Sequence, residues 1–98
     1  MSPHAQHPIR SIVLATDFSK GANAAKRWAI LFAKLHGASV RVLHVAHVPS
    51  VNSLPIDIQH KMTRDLESIE AECAAEGVLA SSAWRVGKPW ETIRAVAG

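Results

Sequence analysis

The sequence lacks several features that would assign it to a class at once. It contains one cysteine, Cys73, so an internal disulfide is excluded and a reducing compartment such as the cytoplasm is favoured. Its 11 lysines and arginines are scattered among acidic and apolar residues, and no basic cluster marks a nucleic-acid interface or a membrane surface. The longest stretch free of Asp, Glu, Lys and Arg, residues 42–56, contains two prolines and two histidines, which is unlike a membrane span. We therefore expect a soluble cytoplasmic protein that binds neither nucleic acid nor membranes.

What is present fits one small globular domain. The 98 residues are 48% apolar and 19% charged, proportions that are ordinary for a folded chain. Residues 1–8 carry two histidines and two prolines and have no apolar core region, so they predict a disordered tail and not a signal peptide. Residues 9–98 are predicted to form the domain.

The apolar periodicity predicts strands that alternate with helices. Short runs rich in β-branched residues predict strands over 11–16, 39–48 and 78–86. Spacings of three and four residues predict helices over 21–36 and 57–76. Alternation of this kind is typical of an α/β fold with a parallel sheet.

Capping residues support these helices. Ser19 is positioned to cap the first helix, and Pro89 to begin a third. Gly37 and Gly77 stand where helices commonly end in a left-handed residue. The predicted buried faces are Ala25, Trp28, Ala29, Phe32 and Leu35 on the first helix, and Ile58, Met62, Leu66, Ile69 and Cys73 on the second.

Right-handed crossovers between parallel strands decide the topology. Two successive crossovers in one direction place the first two helices on the same face and give the strand order 3-2-1. The first strand is then an edge, although its apolar sequence, SIVLAT, is typical of a strand buried on both faces. Because an unpaired edge of this kind invites another chain, we expect the protein to form a homo-oligomer through it.

Three segments together resemble the universal stress protein family. They are IVLATDFS at 12–19, VLHV at 42–45 and VGKPWETI at 86–93, and they fall in order on matching elements. The resemblance extends from residue 9 to the end of the sequence. It implies a three-layer α/β fold of the Rossmann or flavodoxin type (adenine nucleotide alpha hydrolase-like) and a role as a stress-response module.

The resemblance also implies a site for an adenine nucleotide at the carboxyl ends of the first two strands. There the Thr16-Asp17 pair would adjoin the adenine, and Val45 would give the base an apolar and backbone contact. The location agrees with the rule that open parallel sheets bind ligands beyond the carboxyl ends of their strands. The alternative is that Asp17 is only a turn or capping residue between strand and helix.

One part of the family pattern has no counterpart. Members that bind ATP carry a glycine-rich G-x-x-G…G-S/T stretch after a fourth strand, whose backbone N–H groups hold the phosphates. The five glycines here all stand at element boundaries, and the last two strands are missing. We therefore expect a C-terminally truncated domain with weak or absent ATP binding. The alternative is a non-nucleotide interaction module that acts through its first-strand edge.

Other chemistry has little support in the residues. His44 and His47 are three apart on a predicted strand, so they point to opposite faces, and we expect no metal site. No serine or cysteine stands in a nucleophile motif with a base, and we expect no enzymatic activity. Trp28 and Trp90 are predicted to be core residues on helical faces, whereas Trp84 has no clear place.

Overall fold

The computed structural model describes residues 11–87 as an alternating α/β chain. The predicted tail at 1–8 and the helix predicted to begin at Pro89, with Trp90, lie outside these residues. The elements are β1 (Ser11–Ala15), α1 (Lys20–His36), β2 (Ser39–Ala46), a short 3-10 turn (Val51–Ser53), α2 (Ile56–Ala75) and β3 (Ala80–Val86).

The three strands form a parallel sheet with β2 in the centre. Val40 of β2 lies opposite Ile12 of β1 on one side and opposite Ala80 of β3 on the other. The predicted α/β class and strand order 3-2-1 are confirmed. Because all three strands run in one direction, their carboxyl ends meet at one edge of the sheet.

The strands differ slightly from their predicted bounds. β2 ends at Ala46, and β3 begins only at Ala80, because the N–H of Val78 takes part in the turn that ends α2 and donates to the Cys73 carbonyl at 2.9 Å. Gly37 and Gly77 adopt φ values of 65° and 73°, so both helices end in the left-handed conformation that glycine favours.

Both helices cover the same face of the sheet. The core is formed by alternate strand residues and by one side of each helix: Leu14, Val40 and Val42 from the strands, Ala29, Ile30 and Ala33 from α1, and Leu66, Ile69 and Cys73 from α2. Two ion pairs join the helices, Lys26 to Glu72 at 3.0 Å and Lys34 to Glu76 at 3.2 Å. The helices were predicted to share this face, and the structure agrees.

The predicted face of α2 is largely confirmed. Met62, Leu66, Ile69 and Cys73 are buried, and only Ile58, near the first turn, is exposed. Burial also raises the pKa of the Cys73 thiol, as expected for a structural cysteine. Trp84, which the sequence did not place, packs on the side of the sheet that the helices cover, and its indole N–H donates to Thr63 Oγ1 of α2 at 3.2 Å.

The predicted face of α1 is only partly right: of its five residues, Ala29 is buried and Phe32 half-buried, whereas Ala25, Trp28 and Leu35 are exposed. Trp28 is 67% exposed and Leu35 is 73% exposed, so Trp28 is not a core residue. The buried residues are the smaller Ala29 and Ala33 together with Ile30. The helix is turned toward α2, its neighbour on the sheet, and small side chains at the contact let its backbone approach the strands. Trp28 and Leu35 therefore lie on the outer side of the helix.

No helix within residues 11–87 has the length and hydropathy to cross a bilayer.

Shortening a core side chain should destabilise the fold strongly. Leu66 lies on the buried side of α2 and is 2% exposed. Leu66→Ala should therefore lower the free energy of unfolding by about 2 to 5 kcal/mol, because burial is lost and a cavity is left behind. Urea unfolding followed by circular dichroism measures the change. Leu79→Ala is the matched control, because Leu79 is 80% exposed and its removal should cost at most about 0.5 kcal/mol. Equal losses in the two variants would contradict the core assignment.

Candidate functional site at the carboxyl ends of β1 and β2

The loop between β1 and α1 satisfies its backbone groups with its own side chains. The Thr16 N–H donates to the Leu43 carbonyl at 2.9 Å and so extends the β1–β2 ladder by one bond. The Phe18 N–H then donates to Thr16 Oγ1 at 3.0 Å. Short polar side chains that bond to the backbone two residues on are a common way to fix such turns.

The end of this loop caps α1. Ser19 is the N-cap residue, and its Oγ accepts a hydrogen bond from the Ala22 N–H at 3.2 Å. Asp17 Oδ1 accepts one from the Ser19 N–H at 2.9 Å. The predicted capping role of Ser19 is confirmed, and so is the interpretation of Asp17 as a turn residue.

Asp17 is nevertheless available to solvent. Its side chain is exposed, and hydrogen bonds from the Ser19 side chain and backbone hold the pKa of the carboxyl below its ordinary value. The carboxylate is therefore ionised at neutral pH and can accept further hydrogen bonds from a donor outside the loop.

A cleft of about 480 Å³ opens beside Asp17 at the carboxyl ends of β1 and β2. It is lined by Ala15, Thr16, Asp17, Ser19, Gly21, Ala22, Leu43 and Val45. The structure thus brings together the three residues named from the family resemblance, Thr16, Asp17 and Val45. Their part in binding a ligand stays a prediction.

The walls of the cleft differ in character. Leu43 and Val45 alternate along β2 with the core residues Val40 and Val42, so they project from the face opposite the helices. They give the cleft an apolar floor, while Asp17 and Ser19 form a polar rim. Sequence reasoning missed Leu43, although the two-residue period that relates it to Val45 could have found it.

A histidine behind the loop was also missed as part of this region. His44 Nδ1 lies 2.7 Å from the carbonyl oxygen of Thr16, and its ring packs against Phe18 with centroids 4.6 Å apart. From the sequence, His44 was considered only as a possible metal ligand.

The prediction that His44 and His47 project from opposite faces of one strand is wrong, because β2 ends at Ala46 and His47 lies beyond it. No group of three or more His, Cys, Asp or Glu within residues 11–87 could hold a metal ion.

A parallel sheet whose strands are joined by crossover helices, with a cleft at the carboxyl ends of the strands, has the arrangement of a Rossmann-like α/β domain. The family model for the universal stress protein family matches residues 8–98. The chain belongs to the universal stress protein family.

Solved structures of this family have the same architecture. The chain is similar to the hypothetical protein MJ0577 with a TM-score of 0.80 at 26% identity, covering 92% of this chain and 67% of that one. It is similar to a universal stress protein from Burkholderia pseudomallei with a TM-score of 0.74 at 16% identity, covering 94% and 78%. A universal stress protein in complex with cAMP gives a TM-score of 0.67 at 18% identity, covering 84% and 64%.

The chain thus spans about two thirds of the length of MJ0577 and of the cAMP complex. Among curated proteins, no sequence matches it. At identities below 25%, the likeness to the last two structures shows the fold alone.

The pKa of Asp17 should depend on Ser19. Because the Ser19 side chain is the largest cause of the lowered pKa, an NMR titration should place the Asp17 midpoint below its ordinary value of 3.8, and Ser19→Ala should raise it. A carboxyl with a lowered pKa stabilises the fold above its ordinary pKa and loses that contribution as pH falls through the folded value. The difference in unfolding free energy between the native chain and Asp17→Asn should therefore narrow below pH 3.8. A midpoint that does not move in Ser19→Ala would contradict this account.

Proposed function

We propose that the chain is a stress-response module of the universal stress protein type that holds the adenosine part of an adenine nucleotide in the cleft, with weak or absent binding of ATP itself. The observation that carries the proposal is the pairing of the apolar floor, Leu43 and Val45, with the ionised carboxylate of Asp17 at one end of a parallel sheet. The proposed function is binding in the cytoplasm, without enzymatic activity.

The chemistry of the cleft suits a nucleoside. A purine ring is flat and apolar on its faces, so the half-buried Val45 offers it a surface to lie against, with Leu43, 3% exposed, behind it. Adenosine also carries an exocyclic amine and ribose hydroxyls, which are hydrogen-bond donors that a carboxylate such as Asp17 accepts. A cleft of about 480 Å³ falls within the usual range for small-molecule sites.

Within residues 11–87, the groove behind the loop offers little to phosphates. The glycines of the sequence are at least ten residues apart, so these 98 residues contain no glycine loop of the kind that holds a triphosphate. Two lysines line the groove behind the loop, but each has an acidic partner: Lys26 pairs with Glu72 and Lys61 pairs with Asp65, at 3.0 and 2.8 Å. These pairs reduce the positive charge that a phosphate would need.

A relative supports the ligand class. The structure of a universal stress protein with cAMP has the fold of this chain, and cAMP contains adenosine. That ligand belongs to the relative. For this chain it makes adenosine compounds the first ligands to test.

Calorimetric titration with adenosine and with ATP tests the proposal. Adenosine should bind, and ATP should bind no more tightly than adenosine, because its phosphates add few contacts. Asp17→Ala should weaken adenosine binding by about tenfold through the loss of one charged hydrogen bond. Asp57→Ala is the matched control, since Asp57 is an exposed aspartate in the first turn of α2 and does not line the cleft. ATP binding that is far tighter than adenosine binding would contradict the proposal, and so would a chain that binds neither.

A second candidate function, self-association through β1, rests on the backbone of that strand. The Thr16 N–H points to β2, so by the alternation of a strand the N–H and C=O groups of Ser11, Val13 and Ala15 point to the outer edge. Within residues 11–87, β1 pairs with β2 alone.

The partner that fits this edge is a second copy of the chain. β1 contains no charged residue, so two copies can pair antiparallel about a two-fold axis without repulsion between like charges. Beside the strand, Ser11, Ile12, Trp28 and Phe32 line a shallow and mostly apolar groove of about 390 Å³. Pairing of the strands would cover that groove as well.

Light scattering measures this association. The native chain should show a molar mass near twice the 10.6 kDa of one chain. Val13→Pro should give a monomer, because it removes an N–H from the outer edge and leaves the bonds to β2 in place. Val13→Thr, which keeps the N–H, should remain a dimer. Trp28→Lys should also weaken the dimer without touching the backbone. A native chain that is monomeric at high concentration would refute this candidate, as would a Val13→Pro dimer.

A further inference from the structure

His44 lies beneath the loop that carries Asp17, on the far side from the cleft. It alternates along β2 with Leu43 and Val45, so its side chain projects from the helix face of the sheet while theirs form the cleft floor. The ring is half-buried, and it is not among the residues that line the cleft. An effect of His44 on a ligand in the cleft is therefore indirect: His44 acts through the loop, and its charge makes only the smallest of the contributions that lower the pKa of Asp17.

The hydrogen bond of His44 fixes the residue before Asp17. Its partner, the carbonyl oxygen of Thr16, can only accept, so at 2.7 Å the Nδ1 atom of His44 must carry the proton and donate. On its other side, Thr16 is held by the bond from its N–H to the Leu43 carbonyl. The N–H and the C=O of Thr16, the residue before Asp17, are thus both hydrogen-bonded.

The ring of His44 supports the residue after Asp17. Phe18 has φ of 62°, and it is the one non-glycine residue with positive φ among residues 11–87. Side chains with a Cβ adopt this conformation at a cost in free energy, so the loop needs contacts that hold it there. The ring of His44, 4.6 Å from that of Phe18 and tilted by 38°, provides one of them. The bond from the Phe18 N–H to Thr16 Oγ1 provides another.

We propose that His44 is a positioning residue for the adenosine cleft: by holding Thr16 and Phe18 on either side, it fixes where the Asp17 carboxylate stands. This inference rests on the function proposed above and adds a residue that does not touch the ligand. The two contacts of His44, the hydrogen bond and the ring packing, act on opposite sides of Asp17. The loop keeps its shape when both are present.

Two substitutions separate the two contacts. His44→Asn keeps an amide N–H near the place of Nδ1 and loses the ring, while His44→Phe keeps a ring against Phe18 and loses the donor. His44→Phe leaves the Thr16 carbonyl without its partner, so we expect the larger effect there. Val78→Ala is the control, because it removes core side-chain atoms just before β3, at the end of the sheet opposite the loop.

The first measurement is the hydrogen exchange of the Ser19 amide without ligand. That amide is bonded to Asp17 Oδ1, so its protection reports the loop directly. In His44→Phe it should exchange faster by about fivefold or more beyond the change in global stability, as expected for one lost hydrogen bond. In His44→Asn the change should be smaller, and in Val78→Ala the rate should stay near the native one, because an exposed loop amide exchanges by local opening. A native rate in His44→Phe, or the same change in all three variants, would overturn the proposal.

The second measurement is the affinity for adenosine by calorimetry. His44→Phe should bind about fivefold more weakly or worse, His44→Asn should lie between it and the native chain, and Val78→Ala should bind like the native chain. Native affinity in His44→Phe would overturn the proposal. Should the native chain not bind adenosine at all, the proposed function fails, and the exchange of Ser19 alone decides whether His44 positions the loop.

Discussion

The central strand β2 is the constraint on which the other parts of the structure depend. It is hydrogen-bonded along both edges, to β1 and to β3, and its residues Val40 and Val42 are almost fully buried. Parallel pairing on both sides requires a crossover before and after it, and each crossover is a helix that returns over the sheet. The positions of α1 and α2 on one face, and the meeting of the strand ends at one edge, both follow from that pairing.

The candidate site is a direct product of the same pairing. The bond from Thr16 to the Leu43 carbonyl is the last in the β1–β2 ladder, and beyond it the chain must turn into α1. Asp17 and Ser19 satisfy the backbone of that turn, so the residues that cap the helix are also those that rim the cleft. A structural role for Asp17 therefore does not compete with a role in binding. The hydrogen bonds from Ser19 to the Asp17 carboxylate lower its pKa, so the carboxylate is ionised, and it faces the solvent.

The sequence was informative where the signal is local. The spacing from Met62 to Cys73 predicted the buried face of α2, and Ser19 was recognised as a cap from its place before an apolar helix. The face of α1 was only partly predicted: Ala29 is buried as expected, but large apolar residues such as Trp28 drew the predicted face away from Ala33, and only the presence of α2 decides between the two sides. Asp17 and Val45 were named from the family resemblance. His44 was missed because its bond to Thr16 joins residues 28 apart, a contact that no local pattern records.

The two proposed functions share one strand and are therefore linked. The groups of β1 that face β2 build the ladder that ends at Thr16, while those that face outward form the edge proposed for self-association. Ala15 belongs to both surfaces, because it lines the cleft and directs its N–H and C=O to the outer edge. A second copy paired along Ser11–Ala15 would add its own strand beside this wall of the cleft. Adenosine and the second chain would then both contact Ala15. Adenosine binding would change the affinity between chains, and association would change the affinity for adenosine by the same factor.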